Sequence, residues 1–500
     1  MHRNGLLWLA VVAGVVALGF QGSRGIYETT EGRYAEAARE MLETGNWLVP
    51  QLNYHPHWTK PPLAYWGMMV SMRMVGVNEW GVRLPNAAGF VLTALGIAWL
   101  GGMMWDRQTG LLGGFIYATS LLSPFAAAAV STDVLLSLWQ LLVVGAYWKA
   151  FGVVDNAHKR RTWILGMWLF AGLAFLTKGP PGLFSLIALG LFTLYLRRTG
   201  RSGPRILEPL GLLLFAVVGL GWYLVVIART PGLLGYLIGD EVFGRVTTNE
   251  FKRHPEWYQP LVIYLPPLVF GLGAWVAYWP GIIRRFSDRL RYRQFKELLR
   301  GNPSLAFLTL WVGFSVAFFS LCQSRLPLYV LPCFSAFPLL TARALIRTRE
   351  PRRLWRTAAI IIAVSAIALV SLKGVAAWRH DHKNMRPIYE ACAAALTADT
   401  TVYAFEQPKF FGLQFYLKGR LKRISADPGA EWADASLSHF LDRVVHRPDH
   451  QRYLLVCRQG AEVVERALGE AGVKWRVQAR PEDYTIYLID ASGQRAEEAS

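Results

Sequence analysis

Glu28-Thr29-Thr30-Glu31-Gly32-Arg33-Tyr34, followed by Lys60-Pro61-Pro62, sets carboxylates and cations just behind the first apolar stretch of the chain, residues 6–20. Charged groups are costly near hydrocarbon, so a cluster at that depth marks a polar cavity with a task. Long uncharged stretches recur from there along most of the sequence. Of the 500 residues 53% are apolar, 13% aromatic and only 17% charged, against roughly 25% charged in soluble domains. The chain reads as a polytopic α-helical membrane protein. No convincing small-x-small cleavage site follows residues 6–20, so that stretch reads as a retained anchor rather than a signal peptide.

The net charge is +19, and its placement argues against nucleic acid as a partner. Basic residues gather in a few inter-helix loops: Lys159-Arg160-Arg161, Arg197-Arg198 with Arg201 and Arg205, residues 284–300, and residues 343–356. Placing all of these in the cytoplasm satisfies the positive-inside rule. The expected spans then lie near 5–22, 83–105, 109–129, 133–153, 163–177, 180–197, 206–229, 259–280, 303–321, 326–346 and 355–377. The segment 62–77 is short and contains Arg73, and counting it as a span would put the basic loops outside. It is expected instead as a juxtamembrane helix on the outer surface. About eleven transmembrane helices follow, with the amino terminus inside, the carboxyl terminus outside, and the first outer loop at 23–82.

Beyond residue 377 the composition turns polar. Thr401–Phe405, Arg452–Cys457 and Thr485–Asp490 read as strands, and 461–471 carries helical spacing of apolar residues. The expected organisation is a membrane domain at 1–377 and a small extracytoplasmic α/β domain at 378–500. Cys392 and Cys457 both fall in this tail, where an extracytoplasmic disulfide between them is an open option. No Cys/His cluster has zinc-ligand spacing. No repeat of 20–50 residues marks a solenoid, and no Gly-rich loop marks a nucleotide site.

Several outer-side residues are candidates for chemistry. Thr30 and Glu31 begin a helix expected to run to about Glu43, with Tyr34, Ala38, Met41 and Leu42 on its apolar face. Thr30 reads as an N-cap, and Glu31 as a complement to the helix dipole or as a general base among cations. Lys60 either snorkels at the interface or fixes a lipid phosphate. Asp133 follows Thr132 at the mouth of a span, where it serves as a cap or meets a substrate hydroxyl. Lys178, Arg245, His254 and Arg325 lie on the same outer side, against the positive-inside bias, and a polyanionic ligand explains them. Tyr329, one turn after Arg325, either reaches the same cavity or joins the interfacial aromatic belt.

Taken together, these motifs resemble a known family. They are Thr-Glu-Gly-Arg-Tyr-Ala-Glu at 30–36, Arg39-Glu40-Met41-Leu42, Gly45-Asn46-Trp47-Leu48-Val49-Pro50, and Lys60-Pro61-Pro62 with Tyr65-Trp66. Thr132-Asp133, Leu176-Thr177-Lys178-Gly179-Pro180 and Ser324-Arg325-Leu326-Pro327-Leu328-Tyr329 continue the series in consistent order. Over residues 1–345 the chain resembles the ArnT-like membrane glycosyltransferases, in the group that includes the protein O-mannosyltransferases (glycosyltransferase family 39, GT-C fold).

The resemblance implies an inverting transferase of a bacterial inner membrane, taking sugar from a polyprenyl-phosphate donor on the extracytoplasmic face. The acceptor would be a lipid, glycan or protein. Members usually begin the first-loop motif with Asp-Glu; here Thr30 holds the Asp position, and Thr59 replaces the Glu before Lys-Pro. Glu31, Asp133 and Glu28 are then the candidate catalytic carboxylates. Arg33, Tyr34, Lys60, Lys178, Arg245, His254, Arg325 and Tyr329 are candidates for donor phosphate or substrate. A cation-paired phosphate leaves without help, so no cofactor is required and a divalent metal is not indicated. The competing readings are a transporter or flippase for a lipid-linked anion and an inactive envelope scaffold.

Overall fold

The computed structural model describes residues 2–239, 256–287, 292–397, 400–446 and 452–491. Seven helices among them are long and apolar enough to cross a bilayer: Glu79–Met104, Asp133–Gly152, Pro180–Arg198, Pro209–Arg229, Gln259–Arg284, Pro303–Leu321 and Pro351–Trp378. Two apolar pairs are bent, Arg107–Ala118 with Leu122–Ala128 by 52° and Pro327–Phe334 with Ala336–Thr348 by 46°. The shorter Asn4–Leu18 and the helix Ala157–Lys178, with Lys159, Arg160 and Arg161 near its start, occupy the remaining apolar stretches. Large rings fill the centre of the bundle, including Phe90, Tyr147, Trp148, Phe192, Trp275, Phe307 and Trp311.

The 52° bend has an identifiable cause. Leu121 N–H leaves its own helix and donates to Gly271 O at 2.7 Å, while Ser120 Oγ and Ser123 Oγ donate to Tyr117 O. Backbone groups freed at membrane depth need such partners.

In the first loop the helix Thr30–Thr44 buries Tyr34, Ala38 and Met41 as the pattern predicts. These side chains meet Met68, Met69 and Met72 of the helix Leu63–Val75, which has 13 residues. At about 1.5 Å rise per residue it falls well short of a bilayer's hydrocarbon core of roughly 30 Å. Between the two lies a hairpin of β1 (Gln51–Leu52) and β2 (His55–Pro56). The cap expected at Thr30 is corrected: Thr30 is the first helical residue and Thr29 precedes it without a side-chain cap. Glu31 instead turns back to accept from Tyr27 N at 3.0 Å.

The tail forms a six-stranded sheet in the order β5-β4-β3-β6-β8-β7. Its strands are β3 (Thr401–Phe405), β4 (Leu421–Ser425), β5 (Ala435–Ser436), β6 (Arg452–Cys457), β7 (Trp475–Ala479) and β8 (Thr485–Asp490). The first four in spatial order pair in parallel, whereas β8 and β7 run antiparallel. Side chains alternate between faces, so Val402 and Ala404 pack with the helices Met385–Ala393 and Phe411–Leu417, and Tyr403 and Phe405 with Leu437–His446 and Ala461–Glu470. Cys392 lies in the first layer and Cys457 in the second. The sheet stands between them, both thiols are free, and the disulfide considered from the sequence is not formed.

This sheet docks on the first loop. Tyr27 bridges Asn384, Met385 N donates to Ile26 O at 3.0 Å, and Arg386 and Tyr416 both hold the Glu79 carboxylate. Gln414 Nε2 reaches Glu40 at 3.2 Å and Arg423 Nη2 reaches Asn53 at 2.9 Å.

Candidate active site

Asp133 opens the helix Asp133–Gly152, and Lys178 closes the helix Ala157–Lys178. Their ends meet: Lys178 Nζ donates to Asp133 Oδ1, and the ammonium sits 4.8 Å from the centre of the Tyr329 ring. Asp133 is not spent as a helix cap, because its oxygen faces Lys178. Tyr34 completes the group, with its hydroxyl bonded to Thr132. Burial pushes the Tyr34 phenol above its ordinary range, so it stays protonated and can donate.

Two cavities meet at this pair. One has a volume of about 550 Å³ and apolar walls that include Phe175, Phe184, Tyr223, Ile227 and Phe318, with Lys60 and Lys178 as the charged residues among its described lining. The other, about 1100 Å³, lies between the bundle, the first loop and the tail, and it is lined by Glu28, Glu31 and Asp133 together with Arg24, Lys373, Lys383, Lys409 and Arg458. Tyr329 lines both. Lys178 opens to the first and Asp133 to the second, so the ion pair forms the threshold between them.

At the mouth of the apolar cavity Thr59 Oγ1 lies 2.7 Å from His57 Nε2. Burial, with Arg33 and Lys60 adding positive charge, pushes His57 down to about 4, so its ring is neutral at physiological pH. Arg33 and Lys60 therefore share one neighbourhood beside a neutral imidazole.

The remaining candidates are engaged differently. Glu31 is 5% exposed and accepts from Arg83 Nε at 2.8 Å, Arg83 Nη2 at 3.0 Å and Arg24 Nη2 at 3.1 Å. Burial alone would raise its pKa, but the two guanidiniums outweigh burial and hold it below the ordinary carboxylate value. Both Glu31 oxygens are thus saturated, which disfavours the general-base role considered from the sequence. Glu28 faces the tail, accepting from Gly412 N, and burial raises it to about 8. Arg325 is 4% exposed and donates to Glu256 O and Ser320 O at 2.9 Å each, which ties the bundle's outer ends together. Arg325 is not among the described lining residues of either cavity. Arg245 and His254 lie outside the described residues. Among the described residues no group of three or more His, Cys, Asp or Glu is arranged to hold a metal ion.

Sequence reading missed Arg83 and Arg24. Arg83 carried one signal, a charge inside the first turns of an apolar helix that only a buried partner justifies. Lys373 was missed as well; its Nζ caps the first helix by donating to Val16 O and Ala17 O at 3.1 and 2.7 Å.

The fold has known counterparts. Residues 59–247 match the family model described as dolichyl-phosphate-mannose-protein mannosyltransferase. The undecaprenyl phosphate-alpha-4-amino-4-deoxy-L-arabinose arabinosyl transferase of Enterobacter sp. (strain 638) is 29% identical over 71% of this chain and 62% of its own length. That of Sodalis glossinidius (strain morsitans) is 31% identical over 68% and 58%. The chain thus spans about three fifths of the length of these curated relatives. The crystal structure of ArnT from Cupriavidus metallidurans bound to undecaprenyl phosphate superposes with a TM-score of 0.76 at 21% identity, covering 98% of both chains. The Archaeoglobus fulgidus oligosaccharyltransferase gives 0.55 at 13% identity, over 94% of this chain and 69% of its own.

The fold is that of the GT-C membrane glycosyltransferases. Within that class, the sequence resembles the ArnT-like, protein O-mannosyltransferase-like enzymes of glycosyltransferase family 39.

Proposed function

We propose that this chain transfers a sugar from a polyprenyl-phosphate donor to an acceptor on the outer face of a bacterial inner membrane. The observation that carries this reading is the junction of an apolar cavity and a charged one at Asp133, Lys178 and Tyr329. The apolar cavity suits a polyprenyl tail, with the donor phosphate between Lys178 and Lys60 and Arg33 nearby. The acceptor enters from the larger cavity. Its hydroxyl or amine attacks the anomeric carbon opposite the phosphate, and the carbon–oxygen bond to phosphate breaks. The electron pair leaves on the phosphate, where the lysines stabilise the added charge. Asp133 accepts the acceptor's proton. Glu31 contributes by fixing Arg24 and Arg83, and Tyr34 by donating toward the substrate.

The donors named for the relatives are polyprenyl-linked, which supports the same donor class here. With Thr59 in place of the family's Glu, the apolar cavity has two lysines and no carboxylate among its described lining residues. The sugar itself lies beyond that cavity at the threshold, beside Asp133.

The helices and basic loops support eleven crossings, the amino terminus inside, and a tail domain from about residue 378 outside. The test uses the full-length protein in nanodiscs with undecaprenyl-phosphate-linked neutral and amino sugars, both radiolabelled. Turnover of one of these donors that disappears in Asp133→Asn is expected; full activity in that variant removes the mechanism.

A further inference from the structure

Between the hairpin and the helix Leu63–Val75 stands a hydroxyl–imidazole pair that proton transfer at Asp133 leaves unused. His57 N donates to Pro50 O at 2.7 Å, which fixes the histidine beside the residue that enters β1. Two residues on, Thr59 lines the apolar cavity, and its Oγ1 lies 2.7 Å from His57 Nε2. His57 is not among the described lining residues of either cavity, so it stands behind the hydroxyl. Lys60 Nζ donates to Thr59 O at 2.6 Å, which keeps the ammonium at the same turn. Pro61 and Pro62 follow, and neither has a backbone N–H to offer a ligand.

The charged groups that act on the pair are cationic. Burial, then Arg33 and Lys60, push the His57 ring down to about 4, so it is neutral at physiological pH. Arg33 Nε is itself buried with no hydrogen-bond partner among the described residues. A neutral imidazole has one N–H and one lone pair, which gives the pair two arrangements. In one, the Thr59 hydroxyl donates to Nε2 and offers a ligand only its oxygen. In the other, Nε2–H donates to Thr59 Oγ1, and the hydroxyl hydrogen is free to donate. An anion beside Lys60 selects the second, because both hydrogens then point along the chain toward negative charge.

We propose, resting on the polyprenyl-phosphate reading, that Thr59 and His57 form a neutral hydrogen-bond relay to the donor phosphate. Thr59 Oγ1–H donates to a non-bridging phosphate oxygen held between Lys60 and Lys178. His57 Nε2–H donates to the hydroxyl oxygen, so that the hydroxyl hydrogen turns outward. Thr59 makes the contact, and His57 is a positioning residue that acts through it. As the bond to the anomeric carbon breaks, the phosphate passes from one negative charge toward two, and a hydrogen bond donated to it strengthens. A further cation at this turn would add to the repulsion between Arg33 and Lys60, whereas a hydroxyl backed by a neutral ring does not.

The test uses the full chain in nanodiscs, with undecaprenyl phosphate as ligand and undecaprenol, which lacks the phosphate, as its comparison. Thr59→Val is expected to weaken undecaprenyl phosphate binding about tenfold, as for one hydrogen bond to a charged group, and to leave undecaprenol unchanged. Thr59→Ser, which keeps the hydroxyl, should bind as the unsubstituted protein does. His57→Phe should cost about threefold, since the hydroxyl stays but loses the group that turns it. His57→Gln, whose amide N–H can stand in for Nε2–H, should recover most of that loss. The Thr59→Val/His57→Phe double variant should bind no more weakly than Thr59→Val, because both changes break one relay. With histidine labelled for nitrogen NMR, the ring signal missing from His57→Gln should shift to the Nε2–H form on adding undecaprenyl phosphate, and not with undecaprenol. Unchanged binding in Thr59→Val, additive losses in the double variant, or no change of ring form overturns the proposal. An equal loss of undecaprenol binding assigns Thr59 to packing and overturns it too. No binding of undecaprenyl phosphate to the unsubstituted protein is a different failure: it removes the donor reading, and the relay with it.

Discussion

Glu31 and Asp133 line the same cavity, both nearly buried and both paired with cations, yet their surroundings assign them opposite work. Glu31 faces two guanidiniums and a backbone N–H, which occupy both of its oxygens. Asp133 faces one ammonium through one oxygen, at the boundary between the two cavities. A carboxylate saturated by fixed donors holds architecture in place, whereas one with a spare oxygen beside a substrate path can take a proton. The identity of the residue is the same in kind; the number of committed donors separates the roles.

That contrast can be broken most sharply at Asp133. Asp133→Asn is expected to lower sugar transfer by about 10²–10⁴-fold, the span typical of general-base loss. Expression should hold, with a loss of thermal unfolding midpoint smaller than that of Glu31→Gln because one ammonium rather than two guanidiniums loses its anion, which a radiolabel transfer assay beside a thermal scan checks. Next in size, Glu31→Gln leaves Arg83 and Arg24 without their anion and should cost about 3–5 kcal/mol of stability. Adding Arg83→Met should recover part of that loss in the same scan. A Glu31→Gln protein that folds normally but is inactive would reverse the assignment of the two acids. A smaller effect is expected for Lys178→Met, which should weaken undecaprenyl phosphate binding by about 10–100-fold, equivalent to one charged hydrogen bond. Titrating labelled undecaprenyl phosphate into detergent-solubilised protein measures it.

An effect read through pH rather than at one pH belongs to Glu28, a third acid on that wall. Burial raises it from 4.5 to about 8 in the folded protein. Its contribution is complete below its unfolded value and is lost as pH rises through the folded one. The unfolding midpoint should therefore drift downward across about pH 5 to 9, and Glu28→Gln should flatten the drift. Glu40, also raised to about 8 by burial and placed against Gln414, leaves a residual slope. An identical slope in the variant would remove Glu28 as its source.

What the sequence disclosed depended on the range of the interaction. Apolar runs, the pattern of Tyr34, Ala38 and Met41, and the alternation at Thr401–Phe405 are local periodicities, and helices and strands lie where they point. Proximity of Asp133 to Lys178 spans 45 residues, and that of Glu31 to Arg83 spans 52. The first pair was suggested only because topology put both residues on one side, and the second was not seen at all. Arg325 shows the limit of counting charges by side, since its guanidinium turned to backbone carbonyls rather than into a cavity. The tail's strand order had no local signal, because a reversal of order exists only once the sheet is assembled.

The docking of the tail on the first loop has a consequence for biogenesis. Glu28 meets Gly412 across 384 residues of sequence, and Glu40 meets Gln414 across 374. At roughly 5–20 residues per second, the ribosome delivers those partners about 20–80 s after the first loop has emerged. During that interval the loop's carboxylates stand beside the membrane without the helix that covers them. Chains interrupted before residue 412 cannot close this seam, so a segment made late completes one made early. Quality control acting on the exposed loop would thereby distinguish full-length protein from truncated copies that already span the bilayer.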